Sequence, residues 1–357
     1  MSPETRQEGT QFPCRKCGSR LVYAPATADL ECVSCGARVP IPALEGRVEE
    51  HDLQAALADG LAAEATVESL TVTCSSCGAQ STLAAGVAAD HCPFCGTAFV
   101  ATALSTRSLK PHWLLPFRIG LEDARTRFRA WVASLRFAPN RLAREARAGN
   151  VDGLYVPYWT FDAETVSRYT GSRGKNRTET SVSSDGKKVT RTVTDWTSVQ
   201  GTVAKDFDDV LVIASRSLPD EKADGLRPWD LESLTPYRDE FVAGFRAETY
   251  QVGLPEGYEK AKVVMAAGIE EAIRRDIGGD AQRIGTVQTT YGRTTFKHVL
   301  LPIWISSYRF GGKTFRFLVN ARTGEVQGER PYSWVKIAVA VIAAAIVIYT
   351  IVWIGMN

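Results

Sequence analysis

The longest apolar stretch of the chain lies at residues 337–354, which read IAVAVIAAAIVIYTIVWI and carry no charge. A helix of this length covers about 27 Å, close to the roughly 30 Å hydrocarbon core of a bilayer. Trp334 and Trp353 lie near its two ends, where interfacial aromatic side chains are common. The pattern predicts one transmembrane helix over residues 334–355, in preference to a buried core helix.

Basic residues flank this segment on one side only. The residues that follow it, 355–357, are uncharged. The basic residues that precede it are Arg316, Arg322, Arg330 and Lys336. Because Lys and Arg concentrate on the cytoplasmic side of membrane helices, we expect a single-pass, tail-anchored protein of the cell membrane. The body that precedes the helix is then cytoplasmic.

Helical and strand periodicities both occur in residues 104–333. Apolar positions recur at helical spacing over 121–135 and over 258–277, and the second of these helices is followed by Gly278-Gly279. The same region also contains alternating, β-branched and aromatic runs separated by turn residues. We therefore predict an α+β fold rich in antiparallel sheet.

The strand signals predict two arrangements. An antiparallel meander is expected from residues 303–310, 313–320 and 325–327, with Gly311-Gly312 in its first turn. A long hairpin is expected to join residues 159–170 to 190–203 through a polar, mobile loop that is rich in Gly and Ser.

Three short runs place a proline before apolar or aromatic residues. They are Leu-Pro-Phe at 115–117, Val-Pro-Tyr-Trp at 156–159 and Leu-Pro-Ile-Trp at 301–304. Because proline has no N–H to donate, we expect each of them at a strand entrance or a sheet edge. Nearer the N-terminus, leucines every four residues over 48–63 predict an amphipathic helix with acidic residues in its first turn.

Eight cysteines form two sets with identical spacing. Each set contains two Cys-x-x-Cys-Gly motifs, whose spacing lets a tight turn aim both sulfurs at one metal while the glycine supplies a positive φ. Metal binding supplies the folding free energy that so short a segment lacks. We predict two zinc ribbons, each with one structural Zn²⁺. The predicted ligands are Cys14, Cys17, Cys32 and Cys35 in the first set, and Cys74, Cys77, Cys92 and Cys95 in the second.

Other uses of the cysteines are disfavoured. Disulfides would need an oxidising compartment, and the polar, charged residues 1–20 do not read as a secretory signal. A complete set of four thiolates leaves no open position for water, which indicates structural rather than catalytic metal. Each set is complete in itself, so ligand sharing between the sets and extra ligation by His51 or His91 are weaker alternatives.

These features divide the chain into five parts. They are a first zinc ribbon (10–40), a helical linker (41–69), a second zinc ribbon (70–103), the α+β domain (104–333) and the transmembrane helix (334–355).

The charge distribution is informative only locally. A net charge of +2 and a pI near 8.1 give no global indication of a polyanionic partner. Residues 118–147 contain eight arginines, which suit a solvated helix face, anionic lipid headgroups or nucleic-acid phosphates, and the sequence leaves these three open. Asp206 to Asp209 are expected in a solvated turn. No phosphate-loop or nucleophile motif is complete, so we expect no enzyme and no catalytic residues.

Several motifs together resemble one bacterial family of membrane-anchored tandem zinc-ribbon proteins. They are the paired Cys-x-x-Cys-Gly sets, Glu-His-Asp-Leu at 50–53, Val-Pro-Tyr-Trp at 156–159, Lys-His-Val-Leu-Leu-Pro-Ile-Trp at 297–304, and residues 320–326 before Pro-Tyr-Ser at 331–333. Members are labelled primosomal protein N′ (replication factor Y)-like or zinc-ribbon proteins of the transcription factor IIB type. The resemblance covers nearly the whole chain, and the run at 297–304 is its most specific part.

The resemblance implies a membrane scaffold in membrane-stress systems that also contain SPFH (flotillin-like) and phage-shock-protein-A-like proteins. A cytosol-facing module that recruits protein partners at the membrane is therefore our first hypothesis. The alternative is a membrane-tethered, replication-associated protein that binds nucleic acid. A helicase is the poorest fit, because helicase chemistry needs a phosphate loop and a Mg²⁺-binding acid that the sequence lacks.

Overall fold

The computed structural model describes residues 12–42, 48–58, 66–82, 89–100, 104–139, 141–142, 151–182 and 188–356. The molecule is α+β, as the sequence predicts, with a nine-stranded sheet as its body. Two groups of four cysteines and one apolar C-terminal helix accompany this sheet.

The strands follow in chain order. They are β1 (Leu21–Tyr23), β2 (Asp29–Cys32), β3 (Arg38–Pro40), β4 (His51–Asp52), β5 (Thr66–Thr73), β6 (Gln80–Thr82), β7 (Ala89–His91), β8 (Ala98–Val100), β9 (Leu104–Leu109), β10 (Trp113–Leu114), β11 (Val151–Val182), β12 (Lys188–Ile213), β13 (Thr235–Pro236), β14 (Arg246–Ala247), β15 (Ala281–Phe310), β16 (Lys313–Asn320) and β17 (Val326–Gly328). The helices are α1 (Leu53–Ala58), α2 (Leu121–Ser134), α3 (Asp220–Asp224), α4 (Asp239–Val242), α5 (Leu254–Ile277) and α6 (Trp334–Met356), with a 3₁₀ turn at Leu231–Ser233.

Three long strands, β11, β12 and β15, dominate the sheet. The strand β11 lies between the other two and is antiparallel to both. Its pairing with β12 continues to Val182 and Lys188, and its pairing with β15 reaches Gly174 and Ala281. At about 3.3 Å per residue, each strand extends on the order of 90 Å. We call residues 164–182, 188–206 and 281–292 the distal ribbon.

The predicted hairpin is confirmed, but the predicted mobile loop is wrong over residues 171–182, and residues 183–187 of that loop lie outside the described part. Residues 171–182 continue β11, although their composition is that of a loop. Backbone pairing with β12 runs along them, and cross-strand ion pairs accompany it: Arg177 contacts Asp195 at 2.6 Å, and Arg191 contacts Glu179 at 2.9 Å. Such pairs contribute to a sheet only once the strands are aligned, which is why composition alone did not reveal them.

The helix α5 covers one face of the long strands. Side chains of β11 alternate between buried and exposed over 163–170, as expected for a sheet with one covered face. The buried residues of the helix are Leu254, Gly257, Tyr258, Ala261, Met265, Ile269, Ile273 and Ile277. Its predicted end is confirmed, because Gly278 follows Ile277 with φ 64°. The helix starts at Leu254, four residues earlier than predicted, since Pro255 fits the first turn.

The prediction that the prolines mark strand entrances or edges is wrong for Pro157 and Pro302, which lie inside the central strands β11 and β15. The carbonyl of Pro157 accepts from the N–H of Ala214, just beyond the end of β12. The carbonyl of Pro302 accepts from the N–H of Ala321, just beyond the end of β16. Because the nitrogen and carbonyl of a strand residue face the same neighbour, each missing N–H falls where that neighbouring strand has ended.

The two cysteine lobes pack on opposite faces of this sheet. The first lobe (residues 12–42) shares a buried cluster with Tyr155 and Trp304. The second lobe (residues 66–82, 89–100 and 104–109) shares another with Leu154 and Ile303. Neighbouring residues of a strand point to opposite faces, so the sheet lies between the lobes.

The helix predicted over 48–63 is wrong at its start. Strand β4 precedes α1, with His51 opposite Phe296 and Asp52 opposite Thr295. The Asp52 carboxylate accepts from the Ala55 N–H at 2.8 Å and so caps α1, which begins at Leu53. Residues 59–63 of the prediction lie outside the described part. The predicted helix over 121–135 is confirmed as α2, and the predicted meander is confirmed as the end of β15 with β16 and β17.

The C-terminal helix α6 is apolar and exposed. The most apolar 18-residue stretch within Trp334–Ile354 has a mean hydropathy of 2.8, and none of it is buried. It is long and apolar enough to cross a membrane.

Candidate metal centres

Each predicted set of cysteines forms one compact group. In the first, Cys14 Sγ lies 3.7 Å from Cys35 Sγ, and Cys17 Sγ lies 3.5 Å from Cys32 Sγ. In the second, the distance is 3.7 Å between Cys74 and Cys95 and 3.6 Å between Cys77 and Cys92. All four sulfurs of a set lie within 4.8 Å of one another. Four sulfurs about 2.3 Å from a tetrahedral metal would be about 3.8 Å apart, so each set fits one metal ion.

The motifs fold alike in all four places. The glycine that follows each motif has a positive φ: 74° at Gly18, 67° at Gly36, 76° at Gly78 and 70° at Gly96. Each of these glycines donates its N–H to the carbonyl of the first cysteine of its motif. The predicted role of the glycines is thereby confirmed, because a Cβ in this conformation is strained.

The thiols within each set differ in acidity. Backbone N–H groups of Cys35 and Ser34 lower the pKa of Cys32 to about 6. Although desolvation raises it, hydrogen bonds from Thr97 lower the pKa of Cys95 to about 6. Desolvation raises the pKa of Cys77 to about 11. The pKa values of Cys17 and Cys92 are raised as well, so each set combines one lowered thiol pKa with at least one raised pKa. The thiolate is the form that binds a metal, so metal binding at either set releases protons.

The two centres differ in exposure. Cys17 and Cys35 are exposed, whereas Cys74, Cys92 and Cys95 are buried. The second lobe is held to the body by polar contacts as well: Arg316 Nε donates to the Phe94 carbonyl at 2.9 Å. The second centre is therefore part of the core of the body, and the first is more accessible.

The histidines considered as extra ligands have other contacts. His91 Nε2 lies 2.9 Å from Asp152 Oδ2, in an interaction that helps to dock the second lobe. The ring of His51 stacks on that of His112 at 4.2 Å between centroids. Neither belongs to a cysteine group.

A buried lysine forms a separate polar cluster that the sequence analysis missed. The Lys297 side chain is 3% exposed, and its Nζ lies 2.9 Å from Asp209, 3.1 Å from Glu50 and 3.3 Å from Asp162. Although desolvation lowers it, these three carboxylates raise the pKa of Lys297 above its ordinary value. Glu50, Asp162 and Asp208 are close enough to share a cation, but the ammonium of Lys297 already pairs with two of them.

The prediction of a solvated turn at Asp206 to Asp209 is wrong. These residues belong to β12, and a register shift opposite them accompanies a φ of 52° at Asp209. The Asp209 N–H donates to Asp162 at 2.5 Å, which turns the Asp209 carboxylate toward Lys297. Lys297 could have indicated this polar cluster from the sequence, because a lysine next to an apolar run needs carboxylate partners when it is buried.

The arginine-rich segment at 118–147 is described in part. Ala124 and Phe128 of α2 are buried against the body. Arg125 pairs with Glu122 at 2.5 Å, and Arg127 donates to the Gly324 carbonyl at 3.3 Å. Arg125 and Arg127 of α2 are thus engaged within the protein, and Arg144 and Arg147 lie outside the described residues.

The chain is similar to a protein of Bacillus subtilis that is described as uncharacterized protein YdjG. The two are 27% identical over 328 residues, which cover 92% of each chain. No protein-family model and no solved structure matches the chain.

Proposed function

We propose that this chain is a membrane-anchored scaffold whose cytoplasmic body recruits protein partners. The observation that carries the proposal is the open edge of β12. Within the described residues, β12 pairs on one side only, with β11, from Ile213 to Lys188. A strand edge of this length is a surface that a partner can extend by adding a strand.

The two metal centres have a structural role in this proposal. Zinc is the metal that suits them, because it accepts four thiolates in a closed tetrahedral site. One centre lies on each face of the sheet. In this proposal the ions stabilise the two lobes, which pack on the sheet next to the distal ribbon. Reduced cysteines and the basic residues that precede α6 support a cytoplasmic body and a membrane-spanning α6.

The partners are proposed from family resemblance. Membrane-anchored tandem zinc-ribbon proteins resemble components of membrane-stress systems, so flotillin-like and phage-shock-protein-A-like proteins are the candidates. The nucleic-acid alternative draws its support from the arginine-rich segment at 118–147, of which Arg125 and Arg127 are engaged within the protein.

Site-specific photo-crosslinking in cells tests this function. A photoreactive residue replaces Thr192, Ser198 or Thr202, which are exposed on β12. The matched control position is Glu271, exposed on α5. We expect discrete protein adducts in the membrane fraction at the β12 positions, resistant to nuclease and absent from the control. Nuclease-sensitive adducts would favour the nucleic-acid alternative, and equal labelling at Glu271 would contradict recruitment through β12.

A further inference from the structure

The segment after α2 folds back onto the body and presents three side chains outward. Its apolar side chains are buried: Leu135, Ala138 and Leu142. Between them, Phe137 is 44% exposed, and Arg136 and Arg141 are exposed as well. An exposed aromatic ring flanked by two cations is an unusual surface for a segment otherwise held in the core.

This segment is hydrogen-bonded to the start of α6. The Ser333 N–H donates to the Phe137 carbonyl at 2.8 Å, and the Lys336 ammonium donates to the Ala138 carbonyl at 2.7 Å. Trp334, the first residue of α6, is 80% exposed. Phe137 therefore lies beside the entry of α6, at the level where interfacial aromatic residues are found on a membrane helix.

The chain just before α6 adds side chains of the same kind. Tyr332 is 53% exposed, and the Arg330 guanidinium lies over its ring at 5.2 Å from the centroid. Cations beside amphipathic aromatic rings match a layer of anionic headgroups that covers acyl chains.

We propose that a juxtamembrane patch docks on the anionic headgroup layer of the bilayer that α6 crosses. The patch consists of Arg136, Phe137, Arg141, Arg330, Tyr332 and Lys336. The inference rests on the proposed membrane anchoring and adds a second contact, made by the body itself. Continuity with α6 identifies the bilayer as the surface that the patch contacts. Two hydrogen bonds join residues 137 and 138 to Ser333 and Lys336, so Phe137 lies where α6 enters the bilayer.

The test is lipid photo-crosslinking with the full-length protein reconstituted in vesicles. A photoreactive residue replaces Phe137, and the control position is Val264, which is 50% exposed on α5. A third position, Ile346, reports whether α6 lies in the bilayer. The vesicles contain phosphatidylcholine alone or mixed with phosphatidylglycerol.

We expect the yield of lipid adducts at position 137 to exceed that at position 264 at least several-fold. The yield at 137 should be higher in vesicles that contain phosphatidylglycerol than in phosphatidylcholine alone. Arg136→Glu combined with Arg141→Glu should abolish that increase, whereas the matched pair Arg168→Glu with Arg293→Glu, on exposed β11 and β15 surface, should leave it unchanged. Labelling at 346 without labelling at 137 would contradict headgroup binding by the patch and would still support insertion of α6. No labelling at 346 would overturn both. If the photoreactive residue at position 137 crosslinks to an added DNA oligonucleotide and not to lipid, the patch binds nucleic acid instead.

Discussion

Lys297 and Glu248 are both buried, but their surroundings set their protonation in different ways. Lys297 is charged and lies among three carboxylates, so it joins its own strand β15 to β11, to β12 and to Glu50, which precedes β4. Within the described residues the Glu248 carboxylate accepts from two hydroxyls, those of Ser215 at 2.8 Å and of Ser217, and desolvation raises its pKa to about 8. The first is held as an ion, and the second is held as a neutral acid.

Replacing the lysine should leave its carboxylates without a counter-charge. We expect Lys297→Met to lower the free energy of unfolding by about 3–5 kcal/mol, the usual cost of removing one partner of a buried ion pair. Denaturant unfolding of the full-length protein in detergent measures the loss. The control is Lys313→Met at the exposed first residue of β16, which should change stability by less than about 0.5 kcal/mol. Adding Asp162→Asn should recover part of the loss, and a fully additive double variant would contradict the pairing.

Glu248 should make stability depend on pH. The folded chain keeps its proton between pH 4.5 and about 8, while the unfolded chain releases it. Stability attributable to Glu248 therefore falls as the pH rises through this window, by up to about 1.4 kcal/mol per pH unit. Glu248→Gln should remove that decline, and the exposed Glu232→Gln should not. Unfolding curves taken across the window measure the difference between the variants. Parallel pH profiles for the wild type and Glu248→Gln would exclude the effect.

At the level of elements, the sequence correctly predicted the boundaries that depend on neighbouring residues alone. The periodicity and Gly278 located the end of α5, and Gly311-Gly312 located the turn between β15 and β16. The strand character of residues 171–182 depends on partners in β12 and β15, which composition does not contain. The start of α1 likewise depends on β4 pairing with β15. Such boundaries are set by tertiary contacts, so the sequence pattern misplaced them.

Removing one buried side chain of α5 should loosen its contact with the long strands. Ile273 has no exposed surface, and it clusters with Tyr169 of β11. We expect Ile273→Ala to cost about 2–5 kcal/mol in the free energy of unfolding, through lost burial and the cavity left behind. Val263, 72% exposed on the same helix, provides the control, since Val263→Ala should cost little. Hydrogen exchange of the distal ribbon should also accelerate in the first variant only.

At the level of the whole molecule, the position of the sheet between the two cysteine lobes was not predictable from the sequence of either lobe. The cysteine spacing predicted eight ligands in two sets, and the sulfurs do converge in those sets. Their placement on opposite faces follows from the alternation of Leu154 with Tyr155 and of Ile303 with Trp304. Which face each lobe covers is a matter of long-range packing, so it required the structure.

The unequal burial of the two centres predicts unequal consequences of losing them. Cys17→Ser and Cys92→Ser should each leave one bound metal in place of two, because each set is a separate group. Cys92 is 2% exposed beside the fully buried Phe94, so Cys92→Ser should also lower the unfolding midpoint of the body, whereas Cys17→Ser should disturb mainly the first lobe. Metal content by mass spectrometry and denaturant unfolding measure the two effects, and both variants should still insert in membranes. If either variant loses both metals, the sets share ligands or fold as one unit, and the separation of the two centres is wrong.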